Sequence, residues 1–211
     1  MRKIVLYIAV SLNGKIARSD GNVDWLEKVP NPDNIDYGYK EFLETIDTTI
    51  QGYKTYAQLV GWGIDFPYKD KTNFVFTRNQ ELIDNENVKF IKNDHVQFVR
   101  ELKTKEGKGI WVIGGGQLNT MLFNENLIDE IQLFLMPIVI SPGIDLMEFV
   151  PNEKLMSLIE VHQYSNGVVF MKYRKKSITP HNMPAASNAV LLVTKGGGAT
   201  ENGNENRKYN K

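Results

Sequence analysis

The sequence contains no cysteine and no excess of charge of either sign, and each absence excludes a class of protein. Because none of its 211 residues is a cysteine, the chain has no disulfides, no thiolate nucleophile and no cysteine-ligated zinc. Lys and Arg together number 25, as do Asp and Glu, so the formal net charge is zero. We therefore expect neither nucleic acid nor an anionic membrane among its partners.

Long apolar runs, clustered histidines and a secretion signal are also missing. A membrane-spanning helix needs roughly 20 apolar residues in succession, and no stretch of the sequence approaches this length. The apolar run near the N-terminus ends at Ser11 and Asn13 and is too short for a signal peptide. His95, His162 and His181 lie too far apart for metal-ligand spacing, so we expect no metal site. These features favour a cytoplasmic protein.

The pattern of apolar and polar residues predicts alternating strands and helices. The run 3–10 is β-rich and almost continuously apolar, which is typical of a central strand covered on both faces. Apolar residues at helical spacing predict helices over 36–46 and after Asp94, the expected N-cap. An Asn-Gly turn at 166–167 predicts a hairpin over 158–173. Further strands are predicted at 48–51, 73–77, 88–91, 109–113 and 131–140.

This alternation predicts an α/β fold, a three-layer sandwich with a mostly parallel central sheet and a C-terminal antiparallel hairpin. Residues 1–175 would form this domain. Residues 176–211 are rich in Asn, Gly, Ser and Thr, a composition that predicts a polar, disordered C-terminal tail.

Three consecutive glycines, 114–116, follow the strand 110–113 and precede a helix-like stretch that begins at Gln117. Glycine lets backbone N–H groups approach a ligand closely, and a helix N-terminus adds unpaired donors and a positive dipole. Together these features suit the diphosphate of a nucleotide cofactor, although a flexible turn would explain the glycines equally well and the six-residue Rossmann fingerprint is absent. A second glycine triplet, 196–198, precedes only polar sequence and reads as a linker.

Five segments, in their order along the chain, resemble the dihydrofolate reductase superfamily. They are Ser11 to Ala17, Gly52 to Tyr56, Thr77-Arg78, Val112 to Gly116, and Asp129 to Ile131 with Met136-Pro137. The chain looks most similar to the branch that holds the C-terminal reductase domain of the bifunctional riboflavin deaminase-reductase and its stand-alone relatives. The resemblance spans residues 2–175 and implies a dihydrofolate-reductase-like fold. It also implies hydride transfer from NADPH to a C=N bond of a pterin or pyrimidine-like ring, with the cofactor laid across the strand ends.

The resemblance also implies which residues meet the cofactor. The guanidinium of Arg78 beside the adenosine ribose would favour NADPH over NADH. At another phosphate, relatives carry Arg where this chain has Tyr53, so Lys54 would supply the positive charge there. Each position also has an explanation without a cofactor: plain core for Ala9 and Ile16, a helix start for the residues from Gly52, and a surface arginine for Arg78. The positions are Ala9 and Ile16 beside the nicotinamide; Gly52, Tyr53, Lys54 and Thr55 at a phosphate; Thr77 and Arg78 at the ribose and its 2′-phosphate; and Gly114, Gly115, Gly116, Gln117 and Leu118 at the diphosphate.

Three further residues would act at the substrate. Lys15 lies in the loop that closes over the reaction centre in relatives and would hold an anionic substrate group, and Trp25 would cap the nicotinamide side. Counting back from Gly52 by the family's usual separation places the proton-delivering carboxylate at Asp36, on the first long helix. An aspartate also commonly starts a helix, which would explain Asp36 without a role in catalysis. Asp24 and Glu41 are the alternative proton-delivering carboxylates.

We therefore expect an NADPH-dependent reductase of a small molecule, and the nearest activity implied is 5-amino-6-(5-phosphoribosylamino)uracil reductase. Two alternatives remain open. A dihydrofolate reductase would need Lys71 to hold the folate glutamate, and Asp24 stands where its closer relatives have Pro. A non-catalytic nucleotide-binding protein is favoured mildly by Tyr53. Members of this branch are often dimers, so we expect a homodimer in which strand 131–140 pairs across a two-fold axis.

Overall fold

A computed structural model describes residues 1–150 and 153–176. Strands and helices alternate through most of this part of the chain, as the sequence predicts. None of the helices in the described part is long and apolar enough to cross a membrane. The strands are β1 (Ile4–Ser11), β2 (Lys15–Arg18), β3 (Ile46–Gly52), β4 (Thr72–Phe76), β5 (Lys89–Ile91), β6 (Gly109–Gly114), β7 (Glu130–Met136), β8 (Gly143–Asp145), β9 (Met156–Gln163) and β10 (Val169–Lys175); the helices are α1 (Tyr39–Glu44), α2 (Tyr53–Gly61), α3 (His95–Thr104) and α4 (Gly116–Asn124).

Eight of the strands form one sheet in the order β5-β4-β3-β6-β1-β7-β10-β9. The pairs from β5 through β7 are parallel, whereas β10 runs antiparallel to both β7 and β9. This arrangement confirms the predicted α/β sandwich with a mostly parallel sheet and a C-terminal antiparallel hairpin.

Strand β1 lies near the middle of the sheet and sends alternate side chains to two cores, because successive residues of a strand point to opposite faces. Ile4 and Leu6 are fully buried with Val99 and Leu102 of α3 and with residues of α4. Val5 packs on the other face with Phe42 of α1. The continuous apolar character of 3–10 therefore reflects burial on both sides, as expected.

One local prediction is wrong, one holds for the position of the N-cap residue but not for its side-chain bond, and one small sheet was not predicted. Helix α1 begins at Tyr39 and not at 36, because Tyr37 and Gly38 have φ of 56° and 75°, the left-handed region that ends helical geometry. Asp94 precedes α3, but its φ is 51° and its side chain makes no capping hydrogen bond. A second sheet, formed by β2 and β8, was not predicted; its strands of four and three residues are too short to show a period.

Strand β7 ends at Met136, directly before Pro137, and is hydrogen-bonded on both sides, to β1 and to β10. It has no free edge, so the predicted pairing of this strand across a two-fold axis is wrong. The predicted tail lies outside the described residues from 177 onward.

Candidate active site

Two glycine turns from separate parts of the chain meet at one edge of the sheet. Gly52 ends β3 and precedes α2, while Gly114 and Gly115 end β6 and precede α4, and β3 and β6 are neighbours. A Cβ placed on Gly52 would lie 3.8 Å from the Gly114 carbonyl oxygen, and one on Gly115 would lie 3.6 Å from Thr55 Oγ1. Gly114 has φ of 127°, which side-chain-bearing residues rarely adopt. The turns therefore form one glycine-lined surface with little side-chain bulk.

The N-termini of two nine-residue helices open onto this surface. Neither Gly52 nor Gly115, their N-cap residues, provides a side-chain cap. The first N–H groups of α2 and α4 thus have no partner within their own helices, and both dipoles direct positive potential toward the same place. Leu118 is buried in the core, so it can contribute only its backbone N–H, whereas Gln117 is exposed. This donor set fits a diphosphate.

The residues expected at the outer part of a cofactor lie along the same edge. Thr77 and Arg78 directly follow β4, the neighbour of β3. Thr77 is buried and its Oγ1 accepts a hydrogen bond from Asn79 N at 3.0 Å, while Arg78 is exposed. Lys54 is exposed in the first turn of α2. The fold thus brings three segments that are far apart in sequence to one edge of the sheet, and their contact with a cofactor stays a prediction.

Tyr53, where the resemblance implies an arginine, is 40% exposed. Its ring lies 6.3 Å from that of Tyr56 and 6.4 Å from that of Phe90, measured between centroids. Tyr53 therefore presents an aromatic surface, and Arg78 and Lys54 are the basic residues among the predicted phosphate contacts.

The loop after β1 is held against the glycine turns by the small β2–β8 sheet. Lys15 Nζ lies 2.6 Å from Asp145 Oδ1, so this lysine is ion-paired. Ile16 lies in β2, where the pairing register shifts. A Cβ on Gly116 would come within 2.4 Å of the Asp145 carbonyl oxygen, which shows how closely β8 packs on α4. The loop thus lies beside the proposed diphosphate surface.

A cavity of about 340 Å³ lies on one face of the sheet, between α1 and the β9–β10 hairpin. Its walls are mainly aromatic, with exposed polar residues at the rim. Such a site suits a planar ring. The lining residues are Tyr7, Tyr37, Gly38, Glu41, Phe42, Thr45, Gln132, Phe134, Glu160, His162, Tyr164, Phe170 and Lys172.

Ala9 connects this cavity with the glycine turns. Its strand partner is Phe134, a wall of the cavity, and Tyr7 lies two residues before it on the same face of β1. Ile8, which lies between them, points to the opposite face of the sheet, where its side chain would contact a Cβ on Gly114 at 3.7 Å, so Gly114 lies beside this part of β1. Two residues along a strand span roughly 7 Å, so a ring in the cavity lies close to the position where the nicotinamide is expected.

Two phenols of the cavity, those of Tyr7 and Tyr164, have a raised pKa. Burial, followed by the electrostatic effect of Tyr164, Tyr39 and nearby carboxylates, raises the pKa of Tyr7 far above its ordinary value. Burial and the charges of Asp36 and Glu160 raise the pKa of Tyr164 as well. These phenols can therefore donate hydrogen bonds to a ligand at any physiological pH.

Trp25 does not line the cavity in this structure. Its side chain is fully buried in a cluster with Phe134 and Phe170, and its Nε1 has no hydrogen-bond partner among the described residues. It therefore packs against two residues of the cavity wall, and direct contact with a ligand remains a prediction.

The candidate carboxylates are placed differently. Asp36 is exposed in the turn before α1, where its Oδ1 accepts a hydrogen bond from Gly38 N at 3.1 Å, so the predicted place on a helix is wrong. Glu41, on α1, lines the cavity. A hydrogen bond from Arg18 holds the pKa of Asp24 below its ordinary value, which makes Asp24 a poor proton donor.

Sequence reasoning missed most of the cavity. Tyr7, Phe134 and Phe170 come from three strands, and within each strand they look like ordinary core residues. Only the alternation of β7 and β10 side chains, read together with the pairing of those strands, would have placed them on one face.

Lys71, the residue that a folate glutamate would require, is ion-paired with Asp70 at 2.8 Å.

Comparisons with known proteins identify the family and the fold. The sequence model of the RibD C-terminal domain family matches residues 66–170. The uncharacterized protein YwjB of Bacillus subtilis (strain 168) is 39% identical over 167 residues, which cover 79% of this chain and 95% of the relative.

Two solved structures share the fold. A protein of Shewanella sp. PV-4 that is named for riboflavin biosynthesis has a TM-score of 0.75 and 28% identity, covering 84% of this chain and 100% of the other. Dihydrofolate reductase from Enterococcus faecalis, complexed with NADP(H), has a TM-score of 0.59 and 14% identity, covering 83% of this chain and 97% of the other, and it supports the fold alone. Together with the family match, these likenesses show that the chain belongs to the RibD C-terminal domain family and has a dihydrofolate-reductase-like fold.

Proposed function

We propose that this protein is an NADPH-dependent reductase of a small planar heteroaromatic molecule of pyrimidine or pterin type. The observation that carries the proposal is the position of two uncapped helix N-termini on a shared glycine surface, beside an aromatic cavity. The first feature suits a dinucleotide diphosphate and the second suits a ring substrate. The family supports a reductase, and the reductase of riboflavin biosynthesis is the nearest named activity.

The chain's own residues would hold the cofactor as follows. Backbone N–H groups of Gly116, Gln117 and Leu118 would donate to one phosphate, and those at the start of α2, with the Thr55 hydroxyl, to the other. Arg78 would pair with the 2′-phosphate, since a guanidinium can bind two phosphate oxygens at once. Ala9 and Ile16 would leave room for the nicotinamide, which supplies the hydride when the cofactor is bound.

A proton must also reach the reduced ring. Glu41 at the cavity rim is the carboxylate among the candidates that lines the cavity, and Asp36, one turn before α1, is close enough to affect the pKa of Tyr7. We infer that one of these two carboxylates orients the ring and relays a proton, directly or through water. Tyr7 and Tyr164, kept protonated, would donate hydrogen bonds to acceptor atoms of the ring.

A binding and turnover experiment tests the proposal. Purified protein is titrated with NADPH and with NADH while nicotinamide fluorescence is followed, and then incubated with NADPH and a panel of dihydropterins, dihydrofolate and ribosylaminopyrimidines. We expect tighter binding of NADPH than of NADH, and loss of nicotinamide absorbance with at least one ring compound. Absence of NADPH binding would refute the proposal.

A further inference from the structure

The rim of the aromatic cavity carries more negative than positive charge. Glu41 and Glu160 both line the cavity and are exposed. Lys172 is the only lysine or arginine among the lining residues, and its Nζ lies 3.2 Å from Glu160 Oε2. That pair is neutral as a unit. No residue in the described part of the chain forms an ion pair with Glu41, so its charge is left uncompensated.

Two phenols and one amide of the cavity carry no charge, and His162 also lines it. The phenols of Tyr7 and Tyr164 stay protonated, since burial and nearby carboxylates raise the pKa of each. Gln132 Nε2 donates to Glu130 Oε1 at 2.7 Å, which leaves its carbonyl oxygen as an acceptor. These groups can satisfy ring N–H and C=O atoms, but none of them supplies a positive charge for an anion.

Lys15, which the resemblance assigns to an anionic substrate group, already has another partner. Lys15 does not line the cavity, and its Nζ forms an ion pair with Asp145 across the β2–β8 sheet. A phosphate monoester carries about 1.5 to 2 negative charges at neutral pH. The carboxylates of Glu41 and Glu160 at the rim would repel such a group.

We propose that the cavity selects uncharged or cationic planar rings and rejects phosphorylated ones, so that the substrate of this protein is a dephosphorylated heteroaromatic compound. The inference deepens the proposed function, because it takes the cavity to be the substrate site. It also separates this protein from a reductase that acts on a phosphoribosyl-substituted ring.

The test uses a matched pair of fluorescent probes, 6-hydroxymethylpterin and its monophosphate, with the full-length protein. Binding of each is followed by pterin fluorescence. We expect the monophosphate to bind at least tenfold more weakly, which corresponds to ~1.4 kcal/mol. Glu41→Gln should bring the two affinities closer together. Lys172→Gln should widen the difference, because it leaves the Glu160 charge unpaired. A purely structural role would not produce opposite effects in these two variants.

Glu101→Gln is the matched control, because Glu101 is exposed on α3, on the opposite side of the sheet. It should leave the ratio of the two affinities unchanged. Equal or tighter binding of the monophosphate by the unmodified protein would overturn the inference, and so would failure of both probes to bind. NADPH titration of the same samples separates these results from failure of the proposed function, which would appear as loss of cofactor binding.

Discussion

Substitution of Gly115 gives the sharpest test of the cofactor surface. Its φ of −85° and ψ of −164° are accessible to any residue, and an added Cβ would meet only Thr55 Oγ1, at 3.6 Å, an ordinary contact. Gly115→Ala should therefore fold normally. The new methyl group would nevertheless stand between the two helix N-termini. Displacing the diphosphate from one or two charge-assisted hydrogen bonds, each worth about 1.5–3 kcal/mol, should weaken NADPH binding at least tenfold.

Fluorescence titration with NADPH and thermal unfolding of the same samples give the two readouts. Gly61→Ala is the neutral control, because a Cβ there has no neighbour within 4 Å. Gly116→Ala is the contrasting case, since its Cβ would come within 2.4 Å of the Asp145 carbonyl oxygen, and it should lower the melting temperature. If Gly115→Ala folds normally and binds NADPH as tightly as the unmodified protein, the diphosphate does not lie between these helices.

Three more changes have defined outcomes. Arg78→Ala should weaken NADPH by about 1.5–3 kcal/mol and leave NADH titrations almost unaltered; equal losses would exclude contact with the 2′-phosphate. Glu41→Gln should lower turnover about 10²-fold while NADPH affinity is retained. If Asp36→Asn shows this loss and Glu41→Gln does not, Asp36 is the residue that relays the proton. A third change tests the buried carboxylate of Glu130. Burial alone would raise the pKa of Glu130, but hydrogen bonds from neighbouring side chains hold this pKa below its ordinary value. Ionised Glu130 therefore stabilises the folded protein at pH values above the ordinary pKa of a glutamate. This stabilisation is lost as the pH falls through the lowered pKa of the folded state. Glu130→Gln should therefore reduce the fall in melting temperature at acid pH, and an unchanged profile would contradict this.

Features that depend on local sequence were largely predictable. The apolar run of β1, the glycines after β6 and the Asn-Gly turn before β10 each have a physical cause within a few residues. The edge that gathers Gly52, Thr77 and Gly115 followed from the parallel sheet, because the carboxyl ends of parallel strands lie together.

Features that depend on distant partners were not predictable. The reach of α1 was overestimated because Tyr37, a non-glycine residue, takes a left-handed conformation that no local pattern indicates. The ion pair of Lys15 depends on Asp145, which lies 130 residues away in sequence, and on a two-stranded sheet too short to recognise. The burial of Trp25 follows from its packing against Phe134 and Phe170, on strands whose pairing is known only from the fold.

The junction of the two glycine turns also couples ligand binding to folding. Gly52 and Gly115 belong to separate crossovers and come together only when β3 pairs with β6 in the middle of the sheet. An unfolded chain has no such surface, so a dinucleotide would bind the native state alone. At a hundred times its Kd, such a ligand would stabilise the native state by ~2.7 kcal/mol, which for a chain of this size raises the melting temperature by roughly 5–11 °C. The melting temperature of this protein should therefore depend on the concentration of its cofactor, and amide protons of β3 and β6 should report the occupancy of a site that lies beyond the ends of those strands.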